Sequence, residues 1–347
     1  MLGNFFMSPH TLYRPQELAF RTQYAELKER AGAAGSLLYG TPGTLVRREG
    51  TGYGYWYRVY YPFPGRQAEQ LIGRDGDIET LESVERQIEF AQWAAAQVRD
   101  LRKLQFQVAD KGVASVMVEL HNRGILRSGV TLVGTLCYMA WLNELGAKAV
   151  SARTQDIDLA TRQKLTLALP ASFLEAMDAT RLDFAPVPGM PSQSPSTSVE
   201  QKGRDGLRVD VLTHGDSLGK TVPIPQLMWN AQTVPQYAYL LAQPRQAALL
   251  AGGHCIPLVL PQPERFVWHK LFSSTSRQSF PEKAEKDLVQ AATLAAVLVE
   301  QHDEVLSDSF ADAPPVLRQA VKKRLPALRR ALRAHPQALE QFEALLG

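Results

Sequence analysis

The chain holds only two cysteines, Cys137 and Cys255, among 347 residues. Two thiols in apolar surroundings cannot build a disulfide framework or a cysteine-rich zinc site, and they suit a reducing compartment. Histidine is sparse too, with seven residues. None stands at metal-ligand spacing from another; His254 and His269 read as structural and His214 as a loop residue. An excess of one charge is also missing. Lys+Arg 38 against Asp+Glu 35 leaves a net +3, so any case for a polyanionic partner must rest on local clusters. No apolar run reaches the ~20 residues of a membrane span. The longest, "GVTLVGTLCYMAWL", runs into Asn143 and Glu144, and "MLGNFFMSPHTLYRP" lacks the basic-then-apolar order of a secretory signal. Together these absences predict a cytoplasmic protein without a membrane anchor.

What is present is an ordinary globular composition, 45% hydrophobic and 21% charged, on a chain long enough for two or three domains. Residues 1–123 read as an N-terminal region. A helical pattern over 16–34 precedes an alternating segment, 44–73, broken at Gly52, Gly54 and the 62–65 turn. That segment predicts a small antiparallel hairpin or meander. Ile78, Leu81, Val84, Ile88, Ala91, Ala95 and Val98 then recur every three or four residues, predicting one long helix over 77–123.

Residues 124–245 read strand, helix, strand, helix, strand. The segments are "SGVTLVG", "TLCYMAWLNELG", "AVSARTQDIDLA", "PASFLEAMDAT" (opened by Pro170) and "GLRVDVLT". This order with short connections implies an α/β core. The Pro- and Ser-rich stretch "PVPGMPSQSPSTSVEQKGRDG" predicts a flexible loop. Residues 246–347 are expected to be a helical C-terminal domain, with helices at "FVWHKLFSSTSR" and "EKAEKDLVQAATLAAVLVEQ". The tail over 314–335 carries seven Lys/Arg and no acid, and Pro326 interrupts it.

The chemistry begins at "TQDIDLA". Side chains two apart on a strand share a face, so Asp156 and Asp158 project together. Unpaired, each carboxylate raises the other's pKa. A divalent cation removes that cost, since Mg²⁺ takes one or two carboxylates plus substrate phosphates. A third acid, Asp210 in "RVDVLT", sits in a strand that can lie beside the first. Gly134 and Thr135 fall between a strand and the first turn of a helix, where free N–H groups suit phosphate. Taken singly, each feature has a plainer explanation: Asp-x-Asp also caps helices and decorates turns, and Gly134 can merely allow tight packing.

Taken in order, "VGT", "TQDID" and "VDVL" resemble the polymerase-β-type nucleotidyltransferase superfamily, with its small-residue turn, D-x-[DE] pair and later third carboxylate. The longer stretches "LVGTLCYMAWLNELG", "TQDIDLA", "RVDVLT" and "LPQPERFVWHKLF…KAEKDLVQA" resemble, more narrowly, an uncharacterised bacterial group of nucleotidyltransferase-fold proteins. Cys137 departs from the smaller residue expected just past the turn. The resemblance implies an α+β core with a mixed sheet, flanked by an N-terminal helix and β-hairpin region (1–123) and a helical C-terminal domain (246–347). It implies transfer of a nucleoside monophosphate from an NTP to an acceptor hydroxyl. Asp156, Asp158 and Asp210 would hold Mg²⁺ or Mn²⁺; Gly134, Thr135, Thr154, Lys270 and Arg277 would contact the nucleotide. Lys283 and Lys286 are further cationic candidates, and Lys270 can equally be an ordinary surface lysine. The trio works only if it converges and is not already neutralised by lysine or arginine.

Two basic features bear on the acceptor. Tyr53, Tyr55, Trp56, Tyr57, Tyr60, Tyr61 and Phe63 lie among Arg47, Arg48, Arg58 and Arg66. Aromatic stacking with arginine on phosphates would hold a nucleic acid; the plainer and preferred expectation is a small β-layer whose aromatics make its own core. The basic tail could bind nucleic-acid phosphates or be a solvated helix face. A protein side chain and a small molecule remain alternative acceptors, and a non-catalytic nucleotide- or nucleic-acid-binding module is the alternative from another class.

Overall fold

The computed structural model describes residues 11–50, 52–63, 65–162, 165–167, 169–189, 191–203, 206–277 and 279–347. β1 (Tyr13–Pro15) leads into α1 (Leu18–Ala33), whose Tyr24, Leu27 and Ala31 recur on one buried face. β2 (Thr44–Glu49), β3 (Gly54–Phe63) and β4 (Arg66–Arg74) form an antiparallel sheet in that order, as the alternation and turn residues require. α2 (Ile78–Lys103) starts under Asp77, whose side chain accepts the Thr80 N–H.

The single helix expected over 77–123 is two helices, for α3 (Lys111–Asn122) is separate. Gln105 takes a left-handed φ of 70° between them, and Phe106 is buried. The Ala109 N–H donates to the Leu250 carbonyl at 2.8 Å and the Gly252 N–H to the Ala109 carbonyl at 2.9 Å. Long-range pairing and burial here outweigh the local preference to continue a helix.

A 3₁₀ turn over Ile125–Arg127 precedes β5 (Val130–Val133), which runs directly into α4 (Gly134–Glu144). The strand expected across "AVSARTQDIDLA" is split into β6 (Ala147–Ala149) and β7 (Asp156–Thr161). α5 (Phe173–Ala179) is capped by Ser172, whose hydroxyl accepts the Glu175 N–H at 3.2 Å, rather than opened by Pro170. The stretch expected to be a flexible loop starts on the last residue of β8 (Phe184–Pro186) and contains β9 (Ser198–Gln201), and β9 pairs with β8 and with β10 (Arg208–His214). β11 (Thr221–Ile224), β12 (Trp229–Val234) and the short α6 (Tyr237–Leu240) follow.

The region expected to be helical opens with a hairpin of β13 (Arg245–Ala251) and β14 (His254–Leu260). Helices then take over: α7 (Pro263–Ser276), α8 (Pro281–His302), α9 (Ser307–Ala311), α10 (Pro315–Lys322), α11 (Leu325–Ala331) and α12 (Pro336–Leu346). Five of them carry proline in the first turn, where the missing N–H costs nothing.

The main sheet runs β11-β12-β10-β7-β5, with β9 on the first half of β10 and β8 beyond it. β7, β10 and β12 are parallel neighbours, whereas β5 is antiparallel to β7. The sheet is therefore mixed. One apolar core reaches from Leu37 to Leu346 and includes residues of all three expected regions; a smaller one, with Tyr24, Leu27, Leu101 and Phe106, lies under α1 and α2. No described helix is long and apolar enough to cross a membrane.

Candidate active site

Register places the carboxylates. β7 and β10 pair in parallel with Asp210 beside Asp158 and Arg208 beside Asp156. On the other side of β7, Val133, the last residue of β5, faces Asp158. Gly134 then turns the chain into α4 at a φ of +69°, and a Cβ added there would stand 1.9 Å from Asp158 Oδ2. Only glycine lets the α4 N-terminus close on that carboxylate. Thr135 follows, buried in the first turn.

The carboxylates differ in how they are held. Burial pushes the Asp158 carboxyl up to about 6, and Asp210 pushes the same way; Lys270 opposes them, Asp156 adds to the rise and Arg277 lowers it. Thr154 Oγ1 accepts the Asp156 N–H at 3.1 Å, which sets the start of β7. Asp210 Oδ1 accepts from the Ser198 hydroxyl and, at 2.9 Å, from Arg208 Nε. Arg208 also donates to Ser198 Oγ at 3.1 Å. Asp210 thus faces Asp158, so the expected convergence is present, but Arg208 pairs with it, and the expectation of a carboxylate free of any arginine fails at this position. Its Oδ2 keeps no hydrogen bond among the described residues. Among those residues no three His, Cys, Asp or Glu side chains form a ready cation cage.

The helices behind the sheet add positive charge. Lys270 on α7 is not a surface lysine: it is 7% exposed and its Nζ lies 2.6 Å from Asp287 Oδ1. Arg277 reaches the other oxygen of Asp287 at 3.1 Å with its guanidinium still partly in solvent. Lys286 donates to the Arg153 carbonyl at 3.3 Å, and burial lowers its pKa. Lys283, by contrast, lies over the Phe280 ring.

Residues 111–314 match the model of a family described as nucleotidyltransferase. The chain belongs to this family. Among solved structures it is similar to an antigenic nucleotidyltransferase-like protein from Paracoccidioides brasiliensis, 18% identical over 64% of this chain and 92% of that one, with a TM-score of 0.32. No curated protein matches.

In this nucleotidyltransferase-family chain several residues near the carboxylates were not apparent as site residues. Asp287 lies in "EKAEKDL" among lysines, and a buried counter-ion has no local signature. Arg208, two residues before Asp210, shares its strand face, and that spacing was a usable signal. Tyr237 is buried, and burial followed by the Asp158 charge raises its hydroxyl pKa. His269 packs edge-on against Tyr237 at 5.1 Å, and burial, then Lys270, lowers it to about 4, so it is neutral. His254 Nε2 donates to the Leu38 carbonyl at 2.9 Å. His214, expected in a loop, is the exposed last residue of β10 and pairs with Val234, because the strand runs on beside β12.

The arginines of the aromatic sheet are largely occupied, and those of the tail only in part. On the aromatic sheet Arg47 pairs with Asp75 and Glu49, and Arg48 with Glu69. Arg58 is 1% exposed, donates to the carbonyls of Tyr39, Thr41 and Pro42, and lies 4.2 Å from the Tyr60 ring centre. In the tail, Arg324 donates to the Ser274 carbonyl and Arg329 pairs with Glu343 at 2.7 Å. Leu317, Val321, Leu325 and Leu328 bury one face of the same stretch.

Proposed function

We propose that the protein moves a nucleoside monophosphate from an NTP to an acceptor hydroxyl and releases pyrophosphate. The observation that supports this is the side-by-side register of Asp158 and Asp210 against the Gly134 turn, where Asp210 adds to the penalty on the Asp158 charge and a bound divalent cation would relieve it. The donor set fits a hard divalent cation: Asp156 and Asp158 offer carboxylate oxygens on one strand face, and Asp210 offers Oδ2. When bound, Mg²⁺ or Mn²⁺ supplies charge neutralisation at the reacting phosphates.

The chain's own residues do the rest. The acceptor oxygen attacks the α-phosphorus, a new P–O bond forms, and the α–β bridging P–O bond breaks. Asp210 accepts the hydroxyl proton, oriented by Ser198 and Arg208 on its other oxygen. The Gly134 and Thr135 amides seat the departing phosphates at the α4 N-terminus. Arg277, partly exposed, neutralises them by contact; buried Lys270 does so through its field, held by Asp287. Thr154 positions Asp156.

The test is incubation with α-labelled NTP and Mg²⁺ or Mn²⁺ in the presence of cellular RNA, protein or small-molecule pools. Asp156→Ala with Asp158→Ala should abolish label transfer, and retained transfer overturns the mechanism. A second function, nucleotide binding without turnover, is favoured by one observation: Arg208 already holds Asp210. Calorimetric titration separates the two, since only turnover leaves pyrophosphate.

A further inference from the structure

A groove of about 820 Å³ opens beside the carboxylate site, from Thr154 and Arg153 toward β1, β6 and the end of α2. Four cations line it, Arg14, Lys148, Arg102 and Arg153, against one acid, Asp110. Among the described residues none of the four is in an ion pair, whereas Arg47, Arg48, Lys270 and Arg277 all are. Arg14 and Lys148 also face each other directly across the β1·β6 pair. Like charges opposite one another destabilise a ladder, so this pairing gains from an anion between them.

The groove is built firmly. The Leu12 N–H donates to His335 Nε2 at 2.9 Å, His335 Nδ1 lies 2.7 Å from Glu300, and Tyr13 stacks on the His335 ring. Those contacts fasten β1, and with it Arg14, to the C-terminal helices. Buried Gln107 receives the Ala152 N–H at 3.1 Å and donates to the Ala149 carbonyl at 3.3 Å, tying the 149–152 wall to the floor.

Resting on the transfer reaction proposed above, we infer that this groove seats the phosphodiester backbone of a single-stranded RNA acceptor and leads its end to Asp156 and Asp158. Two substrates need two seats. Lys270 and Arg277 serve the triphosphate, and the groove cations come from separate elements, Arg14 on β1, Arg102 on α2, Lys148 on β6 and Arg153 before β7, suited to successive phosphates of a chain. The arginines of the aromatic sheet are largely engaged; the tail keeps Lys322, Lys323 and Arg333 outside any ion pair among the described residues, and the tail variant below tests it as the rival surface.

The experiment uses the full chain and a labelled single-stranded RNA oligonucleotide, with binding followed by fluorescence anisotropy across a salt series. Combining Arg14→Ala, Arg102→Ala and Lys148→Ala should weaken binding on the order of 10- to 100-fold and lower the slope of log K against log salt by about 2. NTP binding, read by thermal shift with Mg²⁺, should not change. A tail variant, Lys322→Ala with Arg329→Ala, should bind RNA like wild type. Unchanged RNA binding in the triple variant, loss of NTP binding instead, loss in the tail variant, or equal binding of poly-glutamate each overturns the inference. Wild type that binds RNA in the groove yet never transfers label would overturn the transferase function and leave the groove standing.

Discussion

Asp158→Asn should make the metal-free protein more stable while destroying its transfer activity. Asp158 titrates at about 6 in the fold against 3.8 for a free aspartate. That displacement corresponds to about 3 kcal/mol of penalty on the charged form. Asp158 keeps some contact with solvent, and allowing for screening leaves about 1–2 kcal/mol. The sign follows from the direction. Below the unfolded pKa both states are protonated and there is no penalty; as pH rises through the folded value the penalty grows to its full size and stays. Asparagine carries no charge, so its advantage should be absent near pH 4, grow up to about pH 6 and then level off. Urea midpoints of both proteins, measured in EDTA across that range, read it directly. Adding Mg²⁺ should reverse the order by stabilising wild type and not the variant. An Asp158→Asn protein no more stable than wild type at neutral pH, or one stabilised equally by Mg²⁺, would refute the account of a carboxylate strained by burial and by Asp210.

Other variants probe separate parts. Gly134→Ala places a methyl group 1.9 Å from Asp158 Oδ2 at a left-handed φ; it should lose about 1–2 kcal/mol from backbone strain alone, read in urea, and about 100-fold or more in label transfer. Asp287→Ala strands Lys270 in the interior and should cost about 3–5 kcal/mol, and Asp287→Asn, which folds more readily, should raise the KM for NTP with a smaller change in kcat. His335→Ala removes the acceptor of the Leu12 N–H and the partner of Glu300; a loss of about 1–3 kcal/mol in chemical denaturation should accompany weaker RNA binding through a loosened Arg14. Arg208→Ala leaves Asp210 Oδ1 with Ser198 alone and takes away its positive partner, which should move the acid limb of the pH–rate profile of transfer to higher pH; an unmoved profile would remove Arg208 from the orientation of Asp210.

Local sequence was enough for part of the geometry of the candidate site. The two-residue spacing of Asp156 and Asp158 dictates a shared strand face, and a glycine between an apolar strand and an apolar helix announces a tight turn, because both follow from backbone sterics over a few residues. The helices α1, α4, α7 and α8 and the three-stranded meander were legible for the same reason: their periodicity is written within single segments. The failures share a cause as well. α2 and α3 look like one helix until Ala109 finds Leu250 and Gly252, a partner some 140 positions away. Lys270 looks like any lysine until Asp287 comes to lie against it.

Nothing within "RVDVLT" says that Asp210 will lie beside Asp158 and not one pleat off; the parallel pairing of β7 and β10 settles that. Arg14 and Lys148 are unremarkable in the chain and become a phosphate-sized problem only when β1 pairs with β6. Side-chain direction and turn geometry are short-range and follow from covalent structure. Charge environment depends on which groups stand opposite and how much water remains between them, and that arises only once distant segments have packed.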